Sequence, residues 1–166
     1  MNGRFNMPGQ PQPNDHGFNH WFATQNNALP NHRDPWNFVR NGTPVGPLKG
    51  YAAGIVTDEA IHWLRAWRDK SKPFFLFLSL TIPHANNEGG PRGMEVPDLG
   101  DYADKDWPAA QRGHAAMISR MDADVGRILS AIDQKGWGDD TLVLFTSDNG
   151  PHREGGNEDR KSTRLN

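Results

Sequence analysis

The length and charge of the chain exclude several kinds of protein. It has 166 residues, which predicts one domain. Its 18 Lys and Arg residues and 20 Asp and Glu residues give a net charge of −2, so no basic surface for nucleic acid or an anionic membrane is expected. It has no cysteine, which excludes disulfides, thiolate metal sites and a cysteine nucleophile. No apolar run reaches the roughly 18 residues of a membrane span, and no signal peptide opens the sequence.

Residues 1–54 predict a loop-rich region. They hold seven of the thirteen prolines, and their apolar residues occur mostly singly. Proline and glycine mark turns and loops. Aromatic residues such as Trp21 and Phe38 need a surface to pack on, so we expect a long excursion over a larger body, forming the wall of an active site.

Residues 55–84 predict a helix followed by a buried strand. Thr57 is a suitable N-cap, and apolar residues follow at helical spacing as far as Lys70. The unbroken apolar run 74–80 is typical of a strand that is buried on both faces.

Residues 85–108 read as a loop, and residues 109–157 predict a second helix and strand. An apolar stripe indicates a helix over 109–134: Met117, Ile118, Met121, Val125, Ile128, Leu129 and Ile132. Gly136 is suited to end this helix, and 141–146 is a second buried strand.

Two buried strands joined by a long helix predict a parallel βαβ unit. Ligands of such sheets bind beyond the carboxyl ends of the strands. His84 follows the first strand, and Asp148 and Asn149 follow the second. Each has a plainer interpretation, since Asn149-Gly150 also favours a simple turn and a single loop histidine is often a surface residue.

Five segments of the chain form a recognisable set: Asn37-Phe38-Val39-Arg40-Asn41-Gly42, Lys72-Pro73-Phe74-Phe75-Leu76 with Pro83-His84, Met121-Asp122-Ala123-Asp124-Val125-Gly126-Arg127, Phe145-Thr146-Ser147-Asp148-Asn149-Gly150-Pro151 and Pro151-His152-Arg153-Glu154-Gly155-Gly156. In sequence and in order, they resemble segments of the sulfatase family of the alkaline phosphatase superfamily. The resemblance implies an α/β fold: a partial parallel-sheet sandwich of the alkaline phosphatase/sulfatase type, truncated at both ends.

The resemblance also implies a chemistry. Sulfatases hydrolyse sulfate esters with a formylglycine nucleophile beside a calcium ion. Asp148 and Asn149 match a pair of the family's calcium ligands, and His84 matches a histidine that contacts the sulfate and assists the leaving oxygen. His152 and Asn27 are candidates for binding a sulfated small molecule or glycan, in a pocket that Asn26, His32 and Arg153 could also line.

The chain departs from the family pattern where the nucleophile is concerned. It contains neither Cys-x-Pro-x-Arg nor Ser-x-Pro-x-Arg, and the early aspartate pair and the lysine motifs have no match. We therefore expect an incomplete calcium site and an inactive fragment of a bacterial catalytic domain. Residues 158–166 predict a non-native tail, because 159–166 resembles a translated sequencing adapter.

Two other functions are open at this stage. One is a phosphodiesterase or phosphonate hydrolase of the same superfamily, and the other is a carbohydrate-binding module without catalysis. For the family, a periplasmic or extracellular location is expected.

Overall fold

The structure of the chain is a computed structural model that describes residues 11–24, 32–150 and 154–156. The helices and strands within these ranges are β1 (Phe22–Thr24), β2 (Phe38–Arg40), β3 (Thr43–Pro44), α1 (Ala52–His62), a π-helical segment that continues α1 (Trp63–Trp67), and α2 (Ala109–Asp133). Short 3₁₀ turns occur elsewhere, including Asn87–Arg92 and Glu154–Gly156. None of the described helices is both long and apolar enough to cross a membrane.

The first part of the chain is less irregular than the sequence predicts, because it contains a three-stranded antiparallel sheet. The strand order is β1-β2-β3, with Phe22 opposite Arg40 and Val39 opposite Pro44. The turn between β2 and β3 is Asn41-Gly42, whose φ angles are +48° and +84°. Two positive φ angles in a two-residue loop match the right-handed twist of a hairpin, and Asn-Gly favours them. The sheet was missed although its turn signal was present.

The sheet is joined to α1 by a charged cluster around Glu59. Arg40 donates from Nε and Nη2 to the two carboxylate oxygens of Glu59, at 2.7 Å each. His20 Nε2 lies 3.1 Å from Glu59 Oε1. Burial alone would raise the pKa of Glu59, but Arg40 and His20 outweigh burial, so this pKa lies below its usual value.

Helix α1 begins six residues earlier than the sequence predicts. The expected N-cap, Thr57, lies inside the helix with no exposed surface. Tyr51 is the residue that precedes the helix, in an extended conformation. Ala52 and Ala53 then form the first turn and are both buried. Because alanine is the best helix former, the helix can begin there without a side-chain cap.

Helix α2 is confirmed nearly as predicted, since it runs over Ala109–Asp133 against an expectation of 109–134. Gly136 follows it with a φ of +69°, as a terminating glycine should. The apolar stripe is narrower than predicted, because Ile118 and Leu129 are exposed while Met117, Ile128 and Ile132 are buried.

Two apolar clusters are found among the described residues, and α2 contributes to both. The first holds the buried residues Tyr51, Ala53, Ile82, Ala85, Met94, Ala110 and Met117. The second centres on Leu64, Ile128 and Ile132, with Phe74, Leu76, Leu78 and Trp137 packed against it. The guanidinium of Arg68 lies 4.1 Å from the ring centre of Trp137 and closes one end of this cluster.

Segment 74–80 alternates in exposure, as a strand does. Phe74, Leu76 and Leu78 face the second cluster, whereas Phe75 and Phe77 are 73% and 57% exposed. The described residues contain no hydrogen-bonded ladder that includes this segment or segment 141–146. The parallel sheet therefore stays a prediction, and the pairing observed in the described residues is antiparallel.

Candidate active site

His84 lies on an exposed turn directly after segment 74–80. Its main-chain N–H donates to the carbonyl of Thr81 at 3.0 Å. Its ring Nδ1 lies 2.7 Å from the carbonyl oxygen of Ala85. A carbonyl can only accept, so Nδ1 carries a proton, and in the neutral ring Nε2 is then the basic nitrogen. A proton that arrives at Nε2 can be donated to a substrate oxygen.

Asp148 and Asn149 form an exposed bend after segment 141–146. The Ser147 hydroxyl donates to the carbonyl of Asn149 at 2.7 Å, which stabilises the bend. Carboxylate and amide oxygens are the kind of ligand that calcium takes. Calcium takes about six to eight oxygens in all, so these two side chains fit as part of a site. Within the described ranges, no group of three or more His, Asp or Glu side chains could hold a metal ion.

Two contacts join residues in or beside segments 74–80 and 141–146. The rings of Phe74 and Trp137 have centroids 5.9 Å apart. Gly155 packs so closely on Ala85 that a Cβ at position 155 would lie 2.6 Å from the Ala85 methyl group. The shared sheet edge expected for His84 and Asp148 stays a prediction.

His32 is a neighbour of His84 that the sequence suggested only as a residue that could line a sugar pocket. It is 1% exposed. Its main-chain N–H donates to Glu95 Oε1 at 2.6 Å, and its ring lies 5.8 Å from that of Tyr51. Burial lowers the pKa of His32 despite the nearby Glu95 carboxylate and the His84 backbone, so the neutral ring is favoured.

Tyr51 and Glu95 were missed by the sequence analysis. The Tyr51 hydroxyl donates to the main-chain carbonyl of Glu95 at 3.0 Å, and burial raises the pKa of Tyr51. A tyrosine before a helix and a glutamate in a loop carry no pattern that distinguishes them from surface residues. Both residues contact the buried His32, and a single sequence does not reveal that burial.

The other predicted site residues, His152 and Asn27, lie outside the described residues, as do Asn26 and Arg153. Their proposed contact with substrate stays a prediction. The same holds for the tail at 158–166.

Comparison with known proteins identifies the family. The family model for sulfatases matches residues 2–165, so the chain belongs to the sulfatase family. It is 30% identical to an uncharacterized sulfatase, YdeN, of Escherichia coli, over 84% of this chain and 24% of that protein. It is 28% identical to mouse N-acetylgalactosamine-6-sulfatase, over 89% of this chain and 29% of that protein.

A further bacterial relative matches with a similar identity and coverage. The chain is 29% identical to the N-acetylgalactosamine-6-O-sulfatase of Bacteroides thetaiotaomicron, over 78% of this chain and 25% of that protein. The chain thus spans about a quarter of the length of these relatives. The family supports an α/β fold of the alkaline phosphatase type and hydrolysis of sulfuric esters as the family's reaction.

Proposed function

We propose that this chain is part of the catalytic domain of a sulfatase and contributes one edge of its sulfate-binding site. The observation that supports this most directly is the match of the sulfatase family model to residues 2–165. A contact between Gly155 and Ala85, the residue after His84, is consistent with the proposal.

In this proposal His84 handles a proton at the leaving oxygen. Its Nδ1–H is bonded to Ala85, so Nε2 is the nitrogen that can give a proton to the departing alcohol. A histidine suits this task because it exchanges protons near neutral pH.

Asp148 and Asn149 would hold part of a calcium ion through their side-chain oxygens. Calcium, when bound, supplies positive charge that offsets the negative charge on the sulfate oxygens. The remaining ligands and the formylglycine nucleophile would come from sequence outside these 166 residues, since they contain no matching motif. The isolated chain is therefore expected to bind calcium weakly and to hydrolyse nothing.

The natural substrate of the proposed enzyme is a sulfated molecule. Two of the relatives are named for N-acetylgalactosamine 6-sulfate hydrolysis, so sulfated N-acetylgalactosamine is the first glycan to test, beside a simple aryl sulfate.

The test is made on the full-length protein that contains these residues. His84→Ala should lower kcat for the aryl sulfate by about 10²- to 10⁴-fold, the contribution of a positioned proton donor. His62→Ala is the matched control, because His62 is exposed on α1 and packs on Trp67, with ring centroids 4.2 Å apart. Its kcat should equal that of the wild type.

Three results would contradict the proposal. One is hydrolysis of phosphate diesters with no activity on sulfate esters. Another is a His84→Ala variant as active as the control. A third is turnover of the aryl sulfate by the purified 166-residue chain, which would refute the expected inactivity of the fragment.

A further inference from the structure

Gly155 lies against the residue that follows His84, and the contact leaves no room for a side chain. A Cβ at position 155 would lie 2.6 Å from the Ala85 methyl group and 3.2 Å from Met94 Cε. Carbon atoms in favourable contact lie about 3.5–4.0 Å apart. The φ angle of Gly155 is +72°, a conformation that glycine adopts without cost. The available space and the backbone conformation therefore both require glycine at this position.

The surface that receives Gly155 is buried and closely packed. Ala85 is buried and belongs to the first apolar cluster. A Cβ at Gly93 would lie 2.9 Å from Gly155 Cα, so the main chains of the two glycines also pass close to each other. The N–H of Asn86 donates to the carbonyl of Gly93 at 2.8 Å, which ties both sides of this surface together. Gly155 is thus seated on a well-supported part of the loop after His84.

Gly155 is also close in sequence to the proposed calcium ligands. It is the sixth residue after Asn149. An extended chain spans at most about 3.3–3.6 Å per residue, so the Cα atoms of Asn149 and Gly155 can be no more than about 22 Å apart. A fixed contact at Gly155 therefore limits how far the Asp148–Asn149 bend can lie from Ala85.

We propose that Gly155 is a positioning residue: its contact with Ala85 fixes the place of the proposed calcium ligands relative to His84. This inference rests on the proposed function, in which the ligands and the histidine act on one sulfate group. A side chain at position 155 would push its turn off the loop after His84 and separate the two parts of the site. Loss of the structure that supports a metal ligand lowers metal affinity or activity.

The test uses variants of the full-length protein that separate lack of space from backbone strain. Gly155→Ala adds a methyl group to the close contact. Gly156→Ala is the matched control, because its φ is +79° but its Cβ would lie no closer than 3.5 Å to another segment among the described residues. The double variant Gly155→Ala with Ala85→Gly exchanges the two sizes. Ala85→Val crowds the contact from the other side, without a side chain at a positive φ.

The first readout is the calcium dissociation constant, measured by isothermal titration calorimetry without substrate. Gly155→Ala and Ala85→Val should each raise it about 10- to 100-fold, the effect of disturbing the support of a metal ligand. Gly156→Ala should change it by less than Gly155→Ala does, and the double variant should recover most of the wild-type affinity. The second readout is kcat and KM on an aryl sulfate, where kcat should fall in the same order.

The inference is wrong if Gly155→Ala and Gly156→Ala bind calcium equally well, or if the exchange of sizes recovers no affinity. Either result leaves the proposed function standing when the wild type cleaves sulfate esters. If the wild type binds calcium but cleaves no sulfate ester, the proposed function fails, and the calcium titrations still decide the role of Gly155. A wild type that binds no calcium overturns the inference as well. If Gly155→Ala does not fold, Ala85→Val and the double variant provide the same comparison.

Discussion

The hairpin with α1 and the pair of segments 74–80 and 141–146 differ in how far their side chains are covered by contacts within the chain. In the hairpin region two polar contacts join distant residues: Arg40 bonds to Glu59, and the N–H of Trp21 donates to the side-chain oxygen of Asn41 at 2.8 Å. In segment 141–146, Leu142 and Leu144 are each 84% exposed. Local contacts suffice for the first region, whereas the apolar faces of the second need further surface to cover them.

The largest expected effect concerns those exposed faces. The 166-residue chain should self-associate in solution, because contiguous exposed apolar segments with strand propensity aggregate. The double substitution Leu142→Lys with Leu144→Lys should raise the monomer fraction severalfold, as measured by size-exclusion chromatography with light scattering.

Leu129→Lys is the matched control for that experiment. Leu129 is 38% exposed but lies on α2, which is folded against α1 and is not an open segment. It should leave the assembly state unchanged. A wild-type chain that is monomeric and melts cooperatively would overturn the comparison between the two regions.

The next effect tests how tightly α2 is packed. A Cβ at Gly113 would lie 2.2 Å from the main-chain oxygen of Met94, whereas a Cβ at Gly126 meets nothing within 4 Å. In the background of the two lysines, Gly113→Ala should lower the free energy of unfolding by up to about 3 kcal/mol. Gly126→Ala should raise it by about 0.5–1 kcal/mol, through helix propensity. Urea denaturation measures the free energy of unfolding of both variants. Equal shifts in the same direction would refute the close approach of Gly113 to the main chain of Met94.

The smallest expected effect concerns the ion pair between Arg40 of the hairpin and Glu59 of α1. Glu59→Gln replaces a charge that accepts two hydrogen bonds from Arg40, so it should cost about 1–2 kcal/mol of unfolding free energy at neutral pH. The pKa of Glu59 is lowered in the folded chain, so its contribution is present above the unfolded pKa and is lost as the pH falls through the folded value.

Urea denaturation between neutral and acidic pH measures this contribution. In the background of the two lysines, the chains with and without the Glu59→Gln substitution should differ near pH 7 and should converge as the solution is acidified below the ordinary range of a glutamate. A difference that stays constant with pH would mean that the ion pair with Arg40 is not responsible.

The sequence predicted the elements whose causes are local. Helix α2 was found to within one residue, because its apolar period and the glycine that follows it lie in the helix itself or next to it. Helix α1 was placed too late because Thr57, a residue type that often caps helices, is buried in the middle of this one. A single sequence cannot show whether a threonine faces solvent or a neighbouring helix.

The site residues stay predictions. The sequence placed His84 and the Asp148–Asn149 pair after two apolar segments, and the structure adds a contact between Ala85 and Gly155. The surroundings of His32 could not be predicted, because Tyr51 and Glu95 reach it from distant parts of the chain. Such long-range contacts leave no periodic signal in the sequence.

Three glycines meet around Met94, and they limit how the molecule can be engineered. A methyl group at Gly93 would lie 2.6 Å from the Asn86 carbonyl, and the equivalent atoms at Gly113 and Gly155 would strike Met94 and Ala85. A side chain at any of these three positions would occupy space that another segment needs. A combinatorial library should therefore leave all three glycines unchanged. Residues 97–107 are largely at the surface and are the better place for insertions that explore new specificities.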